Sequence, residues 1–337
     1  MAFVEGLRRL FGNARPENKR EIEKKEIPQF LSNAESRKGD NHDENEDGLI
    51  SDQGHQLYAV FDGVSGAEGG KIASEIARGI FEKGFQSLPF ELSENEAIEK
   101  MRFLIQEAHT EICKLKEDER DTAPGTTATV IKFLRDPKTQ QFYGVIGNVG
   151  DSRLYHVSKG NFRRLTRDHN KQYQESMDRQ GKKDAFVNNL SFVDATTESF
   201  EDELDHWAGA DYNTPDGKNV FAQSKSRNVI TSSLGVTNVR PNYVDIVIVR
   251  GILPGDKFLL TSDGIHDNLT TDEISSIIGE TTDTKKLVEA AYKRSNEFGH
   301  EDGNLRAKPD DMTAVLLEIN IPQKQRGSVE KPVKEAA

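Results

Sequence analysis

The chain has 337 residues, 34% hydrophobic and 30% charged, with a mean hydropathy of −0.69, and no apolar run approaches the roughly 20 residues that a membrane-spanning helix needs. Lys and Arg number 45 against 57 Asp and Glu, and the net charge of −12 disfavours nonspecific contact with nucleic acid. One cysteine, Cys113, excludes an internal disulfide framework and a cysteine-based zinc finger, and Glu119 stands where a C-x5-R thiol site would need Arg.

Near the start, Phe3, Val4, Leu7, Leu10 and Phe11 make a short amphipathic face beside Arg8 and Arg9. One short basic face anchors weakly, so this segment is expected to pack on the body or fray, with a membrane-surface helix as the alternative. A secretory signal is not recognisable, and a cytoplasmic protein is expected. Residues 12–35 are charged and poor in apolar side chains, so 1–35 reads as an extension. Next comes DNHDENEDGLI, from Asp40 to Ile50. Counted from Asp43 it opens like an EF-hand loop, but the twelfth position is Gly54, which has no side-chain oxygen, and helices do not flank it.

QLYAVFDG reads as a strand stopping at Asp62-Gly63, followed by a helix in KIASEIARGIFEKGF, where Ile72, Ile76 and Ile80 follow the helical repeat. GVSGAEGGKIAS fails as a P-loop because Ser65 and Ile72 stand where Gly and Ser or Thr belong. Ala67 likewise breaks a G-x-S-x-G elbow. A second helix follows Ser93, a natural N-cap, and places Cys113 as a half-buried structural thiol. The strands TTATVIKFL, QFYGVIGNV, SRLYHVS and NFRRLT are joined by DPKT, GD and KG, short enough for antiparallel neighbours. Residues 170–226 are polar, hold Trp207 and acids such as Glu198 and Glu201, and read as an inserted flap. YVDIVIVR and KFLLTS, two helices over TDEISSIIG and TKKLVEAAYKRSNEF, and the strand MTAVLLEIN complete a domain over 36–321, with a flexible tail over 322–337. Such an order fits an α+β fold, antiparallel sheets covered by helix pairs, better than a doubly wound parallel one.

Acids recur at strand ends. Asp62 and Asp263 each end an apolar strand before a glycine, Asp310 and Asp311 precede MTAVLLEIN, Asp151 lies in GNVGDSR, and Glu46-Asp47 lie in the opening loop. A turn explains any one of them. Their repetition points to a carboxylate cage, whose mutual repulsion calls for cations. Oxygen-only ligation favours Mg²⁺ or Mn²⁺, and paired ions of this kind hydrolyse phosphate esters.

FDGVSGAEGG, GTTAT, GNVGDSRLY, LTRDHN, RNVITSSLG, LLTSDGIHDNLT and KPDDMTAVLL stand in the order of the metal-dependent serine/threonine protein phosphatases of type 2C, and the resemblance spans about 41–319. It implies a four-layer αββα sandwich and hydrolysis of phosphoserine or phosphothreonine in proteins, by in-line attack of a metal-bridging hydroxide. It also implies phosphoprotein substrates and an opposing Ser/Thr kinase. By position, Asp62 would bridge two ions and the Gly63 carbonyl would ligate one. Asp263 and Asp310 would complete the second site, and Glu46 and Asp47 match the first acidic pair. Asp151 with Asp263 and Asp267 would offer a third metal position. Asp311 would orient neighbours, Thr126, Thr127 and Asn148 would be scaffold, and Arg153 would pair with an acid.

Two positions depart from the family. His42 replaces the Arg that grips substrate phosphate in animal members, so His42, Arg37 or Lys38 is left to make that contact; and Val64 replaces a proposed general-acid His. A phosphatase-fold regulatory or binding module with weak or no catalysis is the alternative, set against the retention of Asp62, Asp263 and Asp310.

Overall fold

The computed structural model describes residues 28–64, 69–115, 124–179, 189–194, 229–236, 241, 243–299, 304 and 306–320, with side chains omitted for 176–179 and 189–194. The amphipathic face at 3–11, the turn at Ser65 and Gly66, the tail after 321 and most of the flap, Trp207 included, lie outside the described residues. By its contacts 29–320 is one compact unit, and it holds all the described strands and helices.

Two antiparallel sheets dominate. The five-stranded sheet runs β1 (Gln29–Arg37), β13 (Met312–Asn320), β12 (Lys257–Thr261), β8 (Arg153–Ser158), β9 (Asn161–Arg164). The six-stranded sheet runs β10 (Asn189–Asp194), β11 (Asp245–Arg250), β7 (Phe142–Val149), β6 (Ala128–Arg135), β3 (Leu57–Phe61), β2 (Gly48–Asp52). A two-stranded pair, β4 (Gly63–Val64) and β5 (Gly125–Thr126), sits beside the end of β3.

Central strands are buried on both faces, so their side chains serve two cores by alternation. In β3, Leu57, Ala59 and Phe61 join the core under helices α1 (Gly69–Gln86) and α2 (Glu94–Cys113). Tyr58 points the other way, towards Phe30 and Phe133. Phe133 of β6 and Phe258 of β12 meet edge to face at 5.1 Å and join the two sheets. Behind the five-stranded sheet, α4 (Asp263–His266), α5 (Thr271–Glu280) and α6 (Thr284–Ser295) bury Ile265, Ile274, Ile278, Leu287 and Val288. Two sheets between two helical layers match the expected αββα order. Ser93 caps α2 in a reciprocal capping box with Glu96. Cys113 is half-buried, its sulfur within 3.4 Å of His109.

Four sequence expectations need correction. The 1–35 extension ends too late: Gln29–Arg37 is the edge strand β1, paired over its full length with β13. Only Phe30 is fully buried there, so little hydrophobic signal marks it. The Gly150-Asp151 link does not make a hairpin, because β7 and β8 belong to different sheets and the chain crosses between them. The flap segment begins with a helix, α3 (Lys171–Arg179), and contains β10, which extends the six-stranded sheet as its one parallel neighbour among the described strands. Finally, α1 buries Ala73, Ala77, Phe81 and Phe85, while Ile72 is exposed.

Candidate metal centre

The acids singled out by position gather at one rim of the sandwich. Asp47 precedes β2 and Asp62 follows β3, both on the six-stranded sheet, while Asp263 opens α4 after β12 and Asp310 leads into β13 on the other sheet. Asp151 sits where the chain crosses between the sheets, and Asp267 caps α4. Asp47, Asp62, Asp151, Asp263, Asp267 and Asp311 are buried, whereas Glu46 and Asp310 reach solvent in part.

Neighbouring groups fix these positions. Asp62 is bracketed by the threonine pair: its N–H donates to Thr127 Oγ1 at 2.9 Å, and its carbonyl accepts from Thr127 N–H at 2.8 Å and from the Thr126 hydroxyl at 3.0 Å. Ser262 donates to Asp47 Oδ2 at 2.8 Å. Asp311 accepts from the N–H groups of Gly39 and Glu46, at 2.8 and 2.7 Å. Asn148 accepts from Thr129 at 2.6 Å and donates to the Arg167 carbonyl at 2.9 Å. Arg153 pairs with Asp168 at 2.6 Å, an acid partner of the kind its sequence position suggested. Close approach needs glycine here, since a Cβ on Gly63 would meet the Gly70 carbonyl oxygen at 2.6 Å and the Glu46 carbonyl at 2.7 Å.

Electrostatically, carboxylates dominate the rim. Burial, with the charges of Asp263, Asp47 and Asp310, pushes Asp62 well above the usual carboxylate range. Burial also raises Asp151 strongly, with Asp263 and Asp168 adding to it. Asp47 is raised to about 8, first by burial, although Thr313 and Ser262 hydrogen bonds pull it back. Burial raises Asp263 and Glu46 too. Three buried oxygens, Asp47 Oδ1, Asp151 Oδ1 and Asp263 Oδ1, lack a hydrogen-bond partner. An all-oxygen donor set with unpartnered, desolvated carboxylates fits hard divalent cations. As the side chains stand, however, no three of them among the described residues close on a single metal-sized point, so loading requires them to turn.

Sequence reasoning passed over one group. Lys308 is buried among the acids: its ammonium contacts Asp263, lies 2.9 Å from Asp310 and 3.3 Å from Asp267. Burial alone would lower its pKa, but those three carboxylates outweigh it and hold it well above the ordinary lysine value. The signal available was a basic residue two places before the Asp310-Asp311 pair.

At the outer edge, His42 is half-buried, with Nδ1 3.0 Å from Asp311 and Nε2 3.7 Å from Asp310. Burial opposes its charge, but the neighbouring carboxylate of Asp311, with Asp310 and Glu46, raises its pKa overall. The two other candidates for the phosphate contact are engaged: Arg37 stacks 3.3 Å over Tyr292, and Lys38 donates to the carbonyls of Gly39 and His42.

A family profile described as protein phosphatase 2C matches residues 36–297, a range that stops short of Asp310. The serine/threonine phosphatase stp of Listeria welshimeri is 25% identical over 286 residues, covering 85% of this chain and 93% of that protein. Protein phosphatase PhpP of Streptococcus pneumoniae is 22% identical over 273 residues, covering 80% and 89%. Among solved structures, the serine/threonine phosphatase PstP of Mycobacterium tuberculosis superposes with a TM-score of 0.61 at 20% identity, covering 87% of this chain and all of that one. A PstP catalytic domain in complex with two manganese ions superposes with a TM-score of 0.60 at 19% identity, covering 88% and 100%. The profile match spans most of the chain and the fold agrees with it: the chain belongs to the protein phosphatase 2C family.

Proposed function

We propose that this chain hydrolyses phosphoserine and phosphothreonine esters in proteins, using two Mg²⁺ or Mn²⁺ ions held at the acidic rim. The observation that carries this reading is the set of buried, mutually repelling carboxylates at the meeting of the two sheets, three of them with unpartnered oxygens. Asp62, at the end of β3 beside Asp47, would serve both ions; the Gly63 carbonyl and the Glu46-Asp47 pair would hold one, and Asp263 and Asp310 the other. When bound, the ions supply a water acidic enough to act as nucleophile near neutral pH and positive charge for the phosphoryl oxygens.

The chain's own groups do the rest. Thr126 and Thr127 hold the Asp62 backbone, so its carboxylate does not swing with the strand end. Asp311 holds the backbone of Glu46 and the loop bearing His42. His42, whose raised pKa favours the imidazolium, is assigned the contact with the substrate phosphate in place of Arg. Val64 carries no proton to donate, so the leaving oxygen takes its proton from solvent or from His42. Substrates are phosphoproteins, with a Ser/Thr kinase acting in opposition. Nothing at the site favours the regulatory-module alternative.

The test is hydrolysis of a phosphothreonine peptide with Mn²⁺ by the wild type and by Asp62→Asn. The variant is expected to lose on the order of 10³ in rate, the equivalent of several kcal/mol of metal-assisted stabilisation. Equal rates in the two proteins, or no hydrolysis with any divalent ion, would overturn the reading.

A further inference from the structure

Lys308 is the one lysine whose ammonium lies within ion-pair distance of three rim acids at once among the described residues. Its backbone is pinned: the N–H donates to Asn268 Oδ1 at 2.9 Å, and the carbonyl accepts from Asn268 Nδ2, also at 2.9 Å. Asn268 directly follows Asp267, and its Nδ2 also donates to the Gly264 carbonyl at 2.8 Å. The lysine therefore enters the cage from the Asp267 side, anchored to the same helical turn that carries Asp263 and Asp267. Asp310 differs: it lies two residues beyond Lys308, its side chain is 21% exposed, and it can turn towards the solvent side of the rim.

We infer that Lys308 is a tethered cation that fills the third metal position, the one Asp151, Asp263 and Asp267 would otherwise offer, so that the chain takes two divalent ions and no third. This rests on the metal-centre reading of the acidic rim. Charge and space both oppose a divalent ion there. An ammonium between Asp263 and Asp267 offsets one unit of the negative charge a divalent ion would need there, and occupies the space beside one oxygen of each. A divalent ion entering that position would have to displace a buried lysine whose backbone is held on both sides, and the displaced ammonium would lose its carboxylate partners. Among the described residues the ion pairs of Lys308 are with Asp263, Asp267 and Asp310; Asp62, Asp47 and Glu46 stand outside them, and for the second position Asp263 keeps its other oxygen, Oδ1, unpartnered while Asp310 can turn from the lysine.

The test counts Mn²⁺ per chain by elemental analysis after equilibrium dialysis at millimolar free Mn²⁺. Wild type is expected to hold two ions, and Lys308→Ala one more than wild type. Without metal, Lys308→Ala should melt at a lower temperature than wild type, since three carboxylates lose their partner, and added Mn²⁺ should raise its melting temperature by more. Asp151→Asn provides a second, independent arm that does not depend on Lys308→Ala folding. Asp151 belongs only to the third position, so this substitution should leave the wild-type ion count unchanged. Three ions in wild type, no additional ion in Lys308→Ala, or an ion lost in Asp151→Asn would overturn the assignment while leaving a two-metal phosphatase intact. A wild-type chain that binds no Mn²⁺ overturns the metal centre itself, and this assignment with it.

Discussion

Asp311 holds Glu46 by its backbone: the Glu46 N–H donates to Asp311 Oδ2 at 2.7 Å, across 265 positions of sequence. The other carboxylate oxygen holds Gly39, and His42 stands 3.0 Å away, so one side chain fixes both ends of the loop that carries the phosphate-facing edge. Asp311→Ala leaves two N–H groups without their acceptor, and each orphaned donor costs about 1–3 kcal/mol. Urea unfolding should therefore show a loss of roughly 2–4 kcal/mol, together with weaker Mn²⁺ binding. Asp311→Asn keeps one acceptor oxygen and should lose about half as much; equal losses in both variants would mean that the two bonds are not what matters.

His42 tests the phosphate contact. Removing a charge-assisted hydrogen bond to a substrate dianion costs about 1.5–3 kcal/mol, so His42→Ala should raise KM for a phosphopeptide roughly tenfold or more. A smaller effect on kcat is expected, because the contact is made in the bound state as well as in the transition state. His42→Arg should restore or improve KM. An unchanged KM in His42→Ala would remove this residue from the site.

Gly264 and Gly279 offer a paired stability experiment. A Cβ at Gly264 would lie 1.9 Å from the Asp311 carbonyl oxygen, a backbone atom that no rotamer change can move. Gly264→Ala should thus destabilise by about 3 kcal/mol or more, or fail to accumulate as folded protein. At Gly279, in α5, nothing lies within 4 Å of the added carbon, and Gly279→Ala should raise stability by up to about 1 kcal/mol. Thermal melts of the two variants read both effects.

Asp245 sets a pH dependence away from the metal rim. Burial would raise its pKa, but His169 and Arg167 outweigh it and bring it down to about 2. Arg167 Nε lies 2.8 Å from Oδ2, and His169 Nε2 lies 3.3 Å from the same oxygen. A carboxylate with a folded-state pKa below its unfolded value stabilises the fold above about pH 4, and loses that contribution as pH falls towards 2. At neutral pH the shift is worth roughly 2 kcal/mol. Asp245→Asn should reduce the unfolding free energy at pH 7 by at least that order, and the gap to wild type should narrow as pH falls below about 4. A gap that stays constant down to pH 3 would show that the ion pairs contribute nothing.

What could be read from the sequence was what periodicity and strand ends encode. β3, β6, β7, β12 and β13 carry dense apolar runs because both of their faces are buried, and their limits agree with expectation to within a residue or two. The acids that gather at the rim were visible as a placement at strand ends. The rest depended on tertiary context. β1 buries one phenylalanine and is held by pairing with β13, which leaves no periodic trace. The crossing at Gly150-Asp151 looks locally like a tight hairpin turn, since the partner strands lie far away in sequence. Lys308 was hidden for the opposite reason: a lysine beside a proline reads as solvated loop until folding surrounds it with Asp263, Asp267 and Asp310.

The two sheets divide the proposed ligands between them, with Asp47 and Asp62 on one and Asp263 and Asp310 on the other. The sandwich thus works as a caliper whose jaws are carboxylates and whose gap is set by what fills the middle, Phe133 against Phe258 included. Layer separation in such a sandwich is fixed by interdigitating side chains at about 10 Å. Ion spacing at the rim is in that sense a property of the aromatic interior, and substitutions far from any acid can retune the gauge by thinning or thickening it.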